Sequence, residues 1–133
     1  MDTGGARVLI VEDDRFLRRA HEVGLRQGGF TVLTAADGEE GLRVARTEHP
    51  DVVLLDLVMP KLQGFEVLRL LKADPVTAAI RVVILSSLSG ERDVQAALEH
   101  GAVSYLLKTN LSVQALVGKV QEALGTDSPG SGP

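Results

Sequence analysis

The chain has 133 residues, 44% of them apolar, which is enough to bury the core of one globular domain. Its 14 Lys and Arg against 18 Asp and Glu give a formal net charge of −4 with no basic cluster, which argues against direct nucleic-acid binding. The absence of cysteine excludes disulfides and thiolate metal sites, and no apolar run approaches membrane-spanning length. We therefore expect a cytoplasmic protein without a membrane segment.

Composition divides the chain into three parts. Residues 1–6 are short, polar and Gly-rich, unlike a signal peptide, and predict a disordered N-terminus. Residues 7–125 form the predicted domain. Residues 126–133 are rich in Ser, Gly and Pro and predict a flexible tail or linker.

Five short apolar runs, each followed by a helical pattern, predict an α/β fold with a doubly wound five-stranded parallel sheet. The first, third and fourth runs are aliphatic at their centres, whereas the second and fifth carry Thr, Ser and Tyr. Because polar content is typical of sheet edges, we predict the strand order 2-1-3-4-5. The predicted strands cover residues 7–11, 30–34, 52–55, 81–85 and 103–107.

The first helix follows Asp14, its predicted N-cap, and is stopped by Gly28-Gly29. Its apolar positions recur at the spacing of one helical face, which predicts the side that packs on the sheet. That predicted face comprises Phe16, Leu17, Ala20, Val23 and Gly24.

Capping signals mark the later helices. Asp37 with Glu40 three residues on forms a capping box at the start of the second helix, which Pro50 closes. Gly101 is placed as a left-handed cap after the fourth helix, and Ser112 as the N-cap of the fifth.

Polar residues follow four of the predicted strands. The first ends in Glu12 and Asp13, the third in Asp56, the fourth in Ser86 and the fifth in Lys108. Taken singly, each could be an ordinary solvated loop residue. The predicted sheet, however, brings them all to the same edge, where open parallel sheets place their ligand sites.

Their combined chemistry favours phosphoryl transfer. Three carboxylates in one crevice repel one another unless a cation lies among them, and carboxylate oxygens with water suit Mg²⁺. A lysine and a hydroxyl can hold the oxygens of a transferring phosphoryl group. Asp56 is the predicted nucleophile, because aspartate can carry phosphate as an acyl phosphate.

At these residues the sequence resembles the receiver domain of two-component response regulators, including the chemotaxis members, over about residues 7–124. The resemblance implies a flavodoxin-like three-layer sandwich. The segments that carry it are Val11-Glu12-Asp13-Asp14, Leu55-Asp56-Leu57-Val58-Met59-Pro60, Gly64, Leu85-Ser86-Ser87 and Tyr105-Leu106-Leu107-Lys108.

The resemblance implies that Asp56 accepts phosphate from a phosphohistidine on a sensor histidine kinase or a histidine phosphotransfer protein. Asp13, Asp56 and the Val58 backbone carbonyl would bind Mg²⁺ directly, and Glu12 mostly through water. Lys108 and Ser86 would assist the transfer. Such a domain is a signalling phosphoacceptor rather than an enzyme, since it catalyses only its own phosphorylation and dephosphorylation.

The resemblance also implies a switch. Phosphate on Asp56 would draw Ser86 and Lys108 toward it, and Tyr105 would turn inward into the vacated space. The face formed by the fourth helix, fifth strand and fifth helix would then change shape for a downstream protein. Alternatively, Tyr105 could be an edge-strand tyrosine whose hydroxyl lies in water.

One position departs from the family pattern. Thr109 follows the lysine where family members usually carry a proline after a cis bond, so the Lys108–Thr109 bond is either cis and strained or trans with Lys108 shifted slightly. The three histidines lie on separate predicted helices without ligand spacing, which indicates surface or packing roles.

The sequence fits three other functions less well. A flavodoxin-like cofactor binder would need a Gly, Ser and Thr-rich phosphate loop where the chain has Glu12-Asp13-Asp14. A phosphohydrolase with an aspartate nucleophile would normally carry a second acid at the position of Val58. The closest rival is a receiver-like docking module that never turns over phosphate, against which only the intact pocket argues.

Overall fold

The computed structural model describes residues 5–59, 62–87, 90–109 and 111–125. Strands and helices alternate along the whole of this range. The strands are β1 (Arg7–Val11), β2 (Thr31–Ala35), β3 (Val52–Leu55), β4 (Arg81–Ser86) and β5 (Ser104–Leu107). The helices are α1 (Arg15–Gln27), α2 (Gly38–Glu48), α3 (Gly64–Ala73), α4 (Glu91–Glu99) and α5 (Val113–Leu124).

The five strands form one parallel sheet in the order β2-β1-β3-β4-β5, which confirms the predicted order. The central strand β3 is buried along its whole length, as expected for a strand covered on both faces. The threonines of β2 and the Ser104-Tyr105 pair of β5 lie on the two edge strands.

Each face of the sheet has its own core. Alternate residues of β1 and β3 point to opposite sides, so Leu9 and Val53 belong to one core and Val8 and Val52 to the other. Helices α2, α3 and α4 cover the first core, and α1 and α5 cover the second. The result is the predicted three-layer sandwich.

The predicted packing face of α1 is correct at Gly24 but wrong at Phe16, Ala20 and Val23, which are exposed. Phe16 is 84% exposed and Val23 also lies at the surface, whereas His21, Gly24 and Leu25 are buried. α5 packs closely on the buried side of α1, where a Cβ on Gly24 would lie 2.4 Å from Val113 Cγ1.

The caps form largely as predicted. Asp14 Oδ1 accepts hydrogen bonds from the N–H groups of Phe16 and Leu17, and Ser112 Oγ accepts one from Ala115 N–H at 3.0 Å. Asp37 caps α2 by accepting from Glu40 N–H at 2.9 Å, and the Glu40 carboxylate accepts from Ala36 N–H at 2.8 Å. Gly101 has φ +105°, the predicted left-handed conformation.

The predicted terminal segments fall mostly outside the described residues, namely residues 1–4 and 126–133. Ala6 is an exception to the predicted N-terminal disorder, because its carbonyl accepts a hydrogen bond from Thr31 N–H at 2.9 Å. None of the helices that the structure describes is both long and apolar enough to cross a bilayer.

Gly64, the first residue of α3, lies against the backbone that follows β3. A Cβ there would be 2.2 Å from the Asp56 carbonyl oxygen and 2.5 Å from Leu57 Cα, while the Gly64 N–H donates to Leu57 O at 3.0 Å. We expect Gly64→Ala to lower the free energy of unfolding by about 2 kcal/mol, measured by urea titration, because the buried loop must shift.

Gly118→Ala is the matched control, since a Cβ at this α5 position meets nothing within 4 Å. It should raise stability by about 0.5–1 kcal/mol through helix propensity. Equal effects at the two glycines would contradict the steric argument at Gly64.

Candidate functional site

The structure brings the predicted site residues together at the carboxyl edge of the sheet. Glu12 and Asp56 follow the two central strands β1 and β3, and their residues are only 2% and 4% exposed. Ser86 ends β4 and is fully buried, and Lys108 follows β5 and is half-buried. Asp13 is exposed at the mouth of the crevice.

Lys108 is the cation of this cluster. Its Nζ lies 3.0 Å from Asp56 Oδ2, to which it donates a hydrogen bond, and 2.7 Å from Glu12 Oε1. Burial lowers the pKa of Lys108, but its contacts with Glu12 and Asp56 outweigh this and raise the pKa overall. The ammonium is therefore held charged between the buried side chains of Asp56 and Glu12, which come from neighbouring strands.

The chemistry and spacing of the three carboxylates suit Mg²⁺. One oxygen each from Glu12, Asp13 and Asp56 lies within 4.8 Å of the others. Octahedral Mg²⁺ holds its oxygen ligands about 3 to 4 Å apart, so only a small contraction is needed. Glu12 Oε1 is buried with the Lys108 ammonium 2.7 Å away, and a carboxylate oxygen has a second lone pair that a cation could use. These residues fit the metal that the sequence predicts.

The backbone fixes Asp56 at the strand end. Its N–H donates to Val11 O at 3.1 Å, and its Oδ1 accepts from Val58 N–H at 3.1 Å. The Val58 side chain is 55% exposed beside it. The role of the Val58 carbonyl as a metal ligand stays a prediction.

Ser86 and Tyr105 lie on the β4–β5 side of the site. Tyr105 is half-buried, packs against the core under α2, α3 and α4, and shares a side-chain hydrogen bond with Ser86. Burial raises the pKa of Tyr105, and the charges of Asp93 and Asp56 raise it further against the lowering effect of that hydrogen bond. Its hydroxyl thus contacts the buried serine and is not simply an edge-strand group in water.

The Lys108–Thr109 peptide bond is trans, as are all the peptide bonds that the structure describes. Lys108 still reaches both carboxylates from this backbone. Its N–H donates to Ser86 O at 2.8 Å, which extends the β4–β5 ladder by one residue and holds the lysine at the strand end. A proline at the next position is therefore not required to place the lysine.

Two residues near the site were not predicted from the sequence. Arg18 of α1 donates from Nη1 to the carbonyl oxygen of Glu12 at 2.9 Å, and its only sequence signal is a cation four residues after the N-cap Asp14. His21, predicted as a surface or packing histidine, packs in the interior, where burial and the charge of Lys108 lower its pKa.

The buried Glu12 makes stability depend on pH. Burial, reinforced by the charge of Asp56, raises its pKa from 4.5 to about 7 against the opposing effects of Lys108 and Asp14 N–H. Between these two pH values the folded protein keeps a proton on Glu12 that the unfolded chain has released. We therefore expect the metal-free protein to lose on the order of 2 kcal/mol of stability as pH rises through this window.

Urea unfolding of wild type and Glu12→Gln in EDTA, across this pH range, measures the effect. The glutamine variant should not lose this stability as pH rises. The lowered pKa of His21 makes its own contribution to stability rise with pH, and comparing the two proteins cancels that contribution because both contain His21. Mg²⁺ should reduce the loss in wild type because it binds the ionised carboxylate. If the free energy of unfolding changes with pH in the same way for both proteins, Glu12 does not titrate in this range.

Known proteins share both this sequence pattern and this fold. The family model described as "Response regulator receiver domain" matches residues 8–121. The transcriptional regulatory protein PrrA of Mycobacterium tuberculosis is 42% identical over 126 residues, which are 93% of this chain and 53% of PrrA. AfsQ1 of Streptomyces coelicolor, also a transcriptional regulatory protein, is 38% identical over 101 residues, 76% of this chain and 44% of AfsQ1. The chain thus spans about half the length of these relatives.

Solved structures of related domains share the fold of this chain. The response regulator domain of Thermotoga maritima CheB is 31% identical with a TM-score of 0.82, covering 92% of this chain and 98% of that one. The chemotaxis protein CheY4 of Vibrio cholerae, at 27% identity, has a TM-score of 0.83 and covers 89% and 98% of the two chains. A family model that matches nearly the whole described fold, with the acidic cluster and its lysine at the expected edge of the sheet, assigns the chain to the response regulator receiver domain family.

Proposed function

We propose that Asp56 is the phosphoacceptor of this receiver domain and that its phosphorylation depends on Mg²⁺ held by the acidic cluster. The observation that carries the proposal is the Lys108 ammonium, which bridges Asp56 and Glu12 at 3.0 and 2.7 Å beside a third carboxylate, that of Asp13. A receiver domain acts as the phosphoacceptor of two-component systems, and Asp56 is the carboxylate that the lysine and the Val58 N–H both hold in place.

The transfer step follows from these contacts. An Asp56 carboxylate oxygen attacks the phosphorus of a phosphohistidine, the P–N bond breaks as the O–P bond forms, and the imidazole nitrogen takes up a proton as it leaves. Lys108 and the Ser86 hydroxyl would bind oxygens of the transferred group. Glu12, Asp13, Asp56 and the Val58 carbonyl would hold Mg²⁺, which supplies positive charge to the same oxygens when bound.

The proposed response is a change around Tyr105. Phosphate on Asp56 adds acceptor oxygens that compete with Tyr105 for the Ser86 hydroxyl, since the two side chains share a hydrogen bond. A nearly complete change between two states requires phosphorylation to favour one of them by about 5.5 kcal/mol. The surface of α4, β5 and α5 would then be presented to a downstream protein.

The proposed phosphodonor is a sensor histidine kinase or a histidine phosphotransfer protein. The relatives PrrA and AfsQ1 are named as transcriptional regulatory proteins, and this chain corresponds to about half of each. The proposed output of the described domain is contact with a downstream protein through the surface of α4, β5 and α5.

Intact-mass measurement after incubation with acetyl phosphate tests the phosphoacceptor proposal. We expect a gain of one phosphoryl group in the presence of Mg²⁺, no gain in EDTA, and loss of the added mass in hydroxylamine, which cleaves acyl phosphates. No gain at any Mg²⁺ concentration, together with no Mg²⁺ binding by calorimetry, would instead favour the docking module that never turns over phosphate.

A further inference from the structure

We propose that Arg18 is a positioning residue for the acidic loop, the segment Glu12–Asp14 between β1 and α1, and that it sets the Mg²⁺ affinity of the site without touching the metal. The inference rests on the proposed function, because it concerns the same cluster of carboxylates. Arg18 lies one turn into α1, and its half-buried side chain reaches back toward the start of the helix.

The contacts of Arg18 are to backbone, not to the carboxylates. Its Nη1 lies 2.9 Å from the carbonyl oxygen of Glu12 and 3.5 Å from that of Asp13. These two carbonyls belong to the peptide units on either side of the Asp13 Cα atom. One guanidinium therefore restrains both peptide planes that determine where the Asp13 side chain points.

The rest of the acidic loop is held from other directions. Glu12 N–H donates to Ala35 O of β2 at 3.0 Å, and Asp14 N–H donates to Glu12 Oε2 at 3.1 Å. Asp13 is exposed, so burial does little to fix its direction. Without the Arg18 contacts, the Asp13 carboxylate would be less constrained than those of Glu12 and Asp56. Because Mg²⁺ demands near-ideal ligand geometry, its binding should weaken.

Charge and positioning predict opposite effects for this residue. An arginine near a cation site repels Mg²⁺, so if Arg18 acted only as a charge, its removal would strengthen binding. If Arg18 acts by holding the two carbonyls, its removal weakens binding even though a repulsive charge is lost. The direction of the change in Kd therefore separates the two roles.

The test is calorimetric titration of the metal-free protein with Mg²⁺ at low ionic strength. For Arg18→Met we expect a Kd about 10-fold to 100-fold higher than wild type, the range typical of residues that orient metal ligands. Arg18→Lys keeps the charge but lacks the planar guanidinium group. Its Kd should lie between those of wild type and Arg18→Met.

Arg19→Met is the matched control. It removes the same charge from the neighbouring helical position, where the side chain is 70% exposed and pairs with Glu22 at 3.1 Å, away from the acidic loop. Its Kd should stay within about twofold of wild type, as expected for an exposed and screened charge.

Metal-free thermal unfolding of each variant distinguishes positioning from general loss of structure. The proposal is supported if Arg18→Met has a higher Kd for Mg²⁺ but a melting temperature close to that of Arg19→Met. Should Arg18→Met fold poorly, Arg18→Gln still separates the two roles: loss of the charge alone would lower the Kd, whereas the shorter amide, which cannot span both carbonyls, would raise it.

Two results would overturn the inference. If wild type binds Mg²⁺ and incorporates phosphate while Arg18→Met binds Mg²⁺ equally or more tightly, the positioning role fails and the proposed function stands. If wild type neither binds Mg²⁺ nor incorporates phosphate, the proposed function fails and the inference fails with it.

Discussion

Asp56→Asn is expected to abolish phosphate incorporation from acetyl phosphate, with no mass gain at any Mg²⁺ concentration. An amide has nearly the same shape as the carboxylate but lacks the anionic oxygen that attacks phosphorus. Its oxygen can still accept the Val58 N–H that Asp56 Oδ1 accepts at 3.1 Å, so the loop after β3 should keep its conformation. The loss would therefore reflect chemistry and not folding.

Asp14→Asn provides the matched control. It makes the same change in charge two residues from Glu12, and asparagine caps a helix about as well as aspartate. Because Asp14 serves α1 through its contacts with Phe16 and Leu17 N–H, its replacement should leave phosphate incorporation intact. Continued phosphorylation of Asp56→Asn would move the phosphoacceptor to another residue, which peptide mapping of the labelled protein would identify.

Lys108→Met is expected to slow phosphorylation by about 100-fold at saturating Mg²⁺, comparable to the loss of one donor to developing charge in other acyl and phosphoryl transfers. Its Nζ, 3.0 Å from Asp56 Oδ2, is placed to meet oxygens of the incoming group. The same substitution should tighten Mg²⁺ binding, since it removes the positive charge that neutralises Glu12 and Asp56. Time courses of intact mass and calorimetric titration measure the two effects separately.

Lys119→Met is the control for net charge, because Lys119 is an exposed α5 lysine paired with Glu122 at 3.3 Å. The phosphorylation rate of Lys119→Met and its Kd for Mg²⁺ should both match those of wild type. If Lys108→Met phosphorylates at the wild-type rate while binding Mg²⁺ more tightly, the lysine is only a counter-ion for the resting pocket and plays no part in transfer.

The strand order and the composition of the site could be predicted because both follow from short-range sequence patterns. Aliphatic centres mark β1, β3 and β4 as interior, and parallel strands deliver whatever follows them to one edge. Glu12, Asp56 and Lys108 needed no further information to be placed together. The contact of Lys108 with both carboxylates is the detail that the structure adds.

The packing of α1 could not be predicted in the same way. Hydrophobic periodicity assumes that the largest apolar side chains face inward, but the spacing between α1 and α5 decides which side chains fit. Gly24 lies where a Cβ would collide with Val113, and Phe16 is left at the surface. The reach of Arg18 depends on its side-chain conformation, which no sequence pattern encodes.

The backbone segments around Asp56 are not restrained equally on the two sides of the site. On one side, the loop after β1 is tied to β2 and to Arg18, and the loop after β3 is tied to the start of α3, where Gly64 leaves no room for movement. On the other side, β5 has a neighbouring strand along only one edge, and Tyr105 is half-buried. We expect a disturbance at Asp56 to be transmitted more readily toward β5 than toward the loops after β1 and β3. This difference favours β5 and Tyr105 as the side that would respond in the proposed function, since they share the sheet edge with the site but lack the restraints of Arg18 and Gly64.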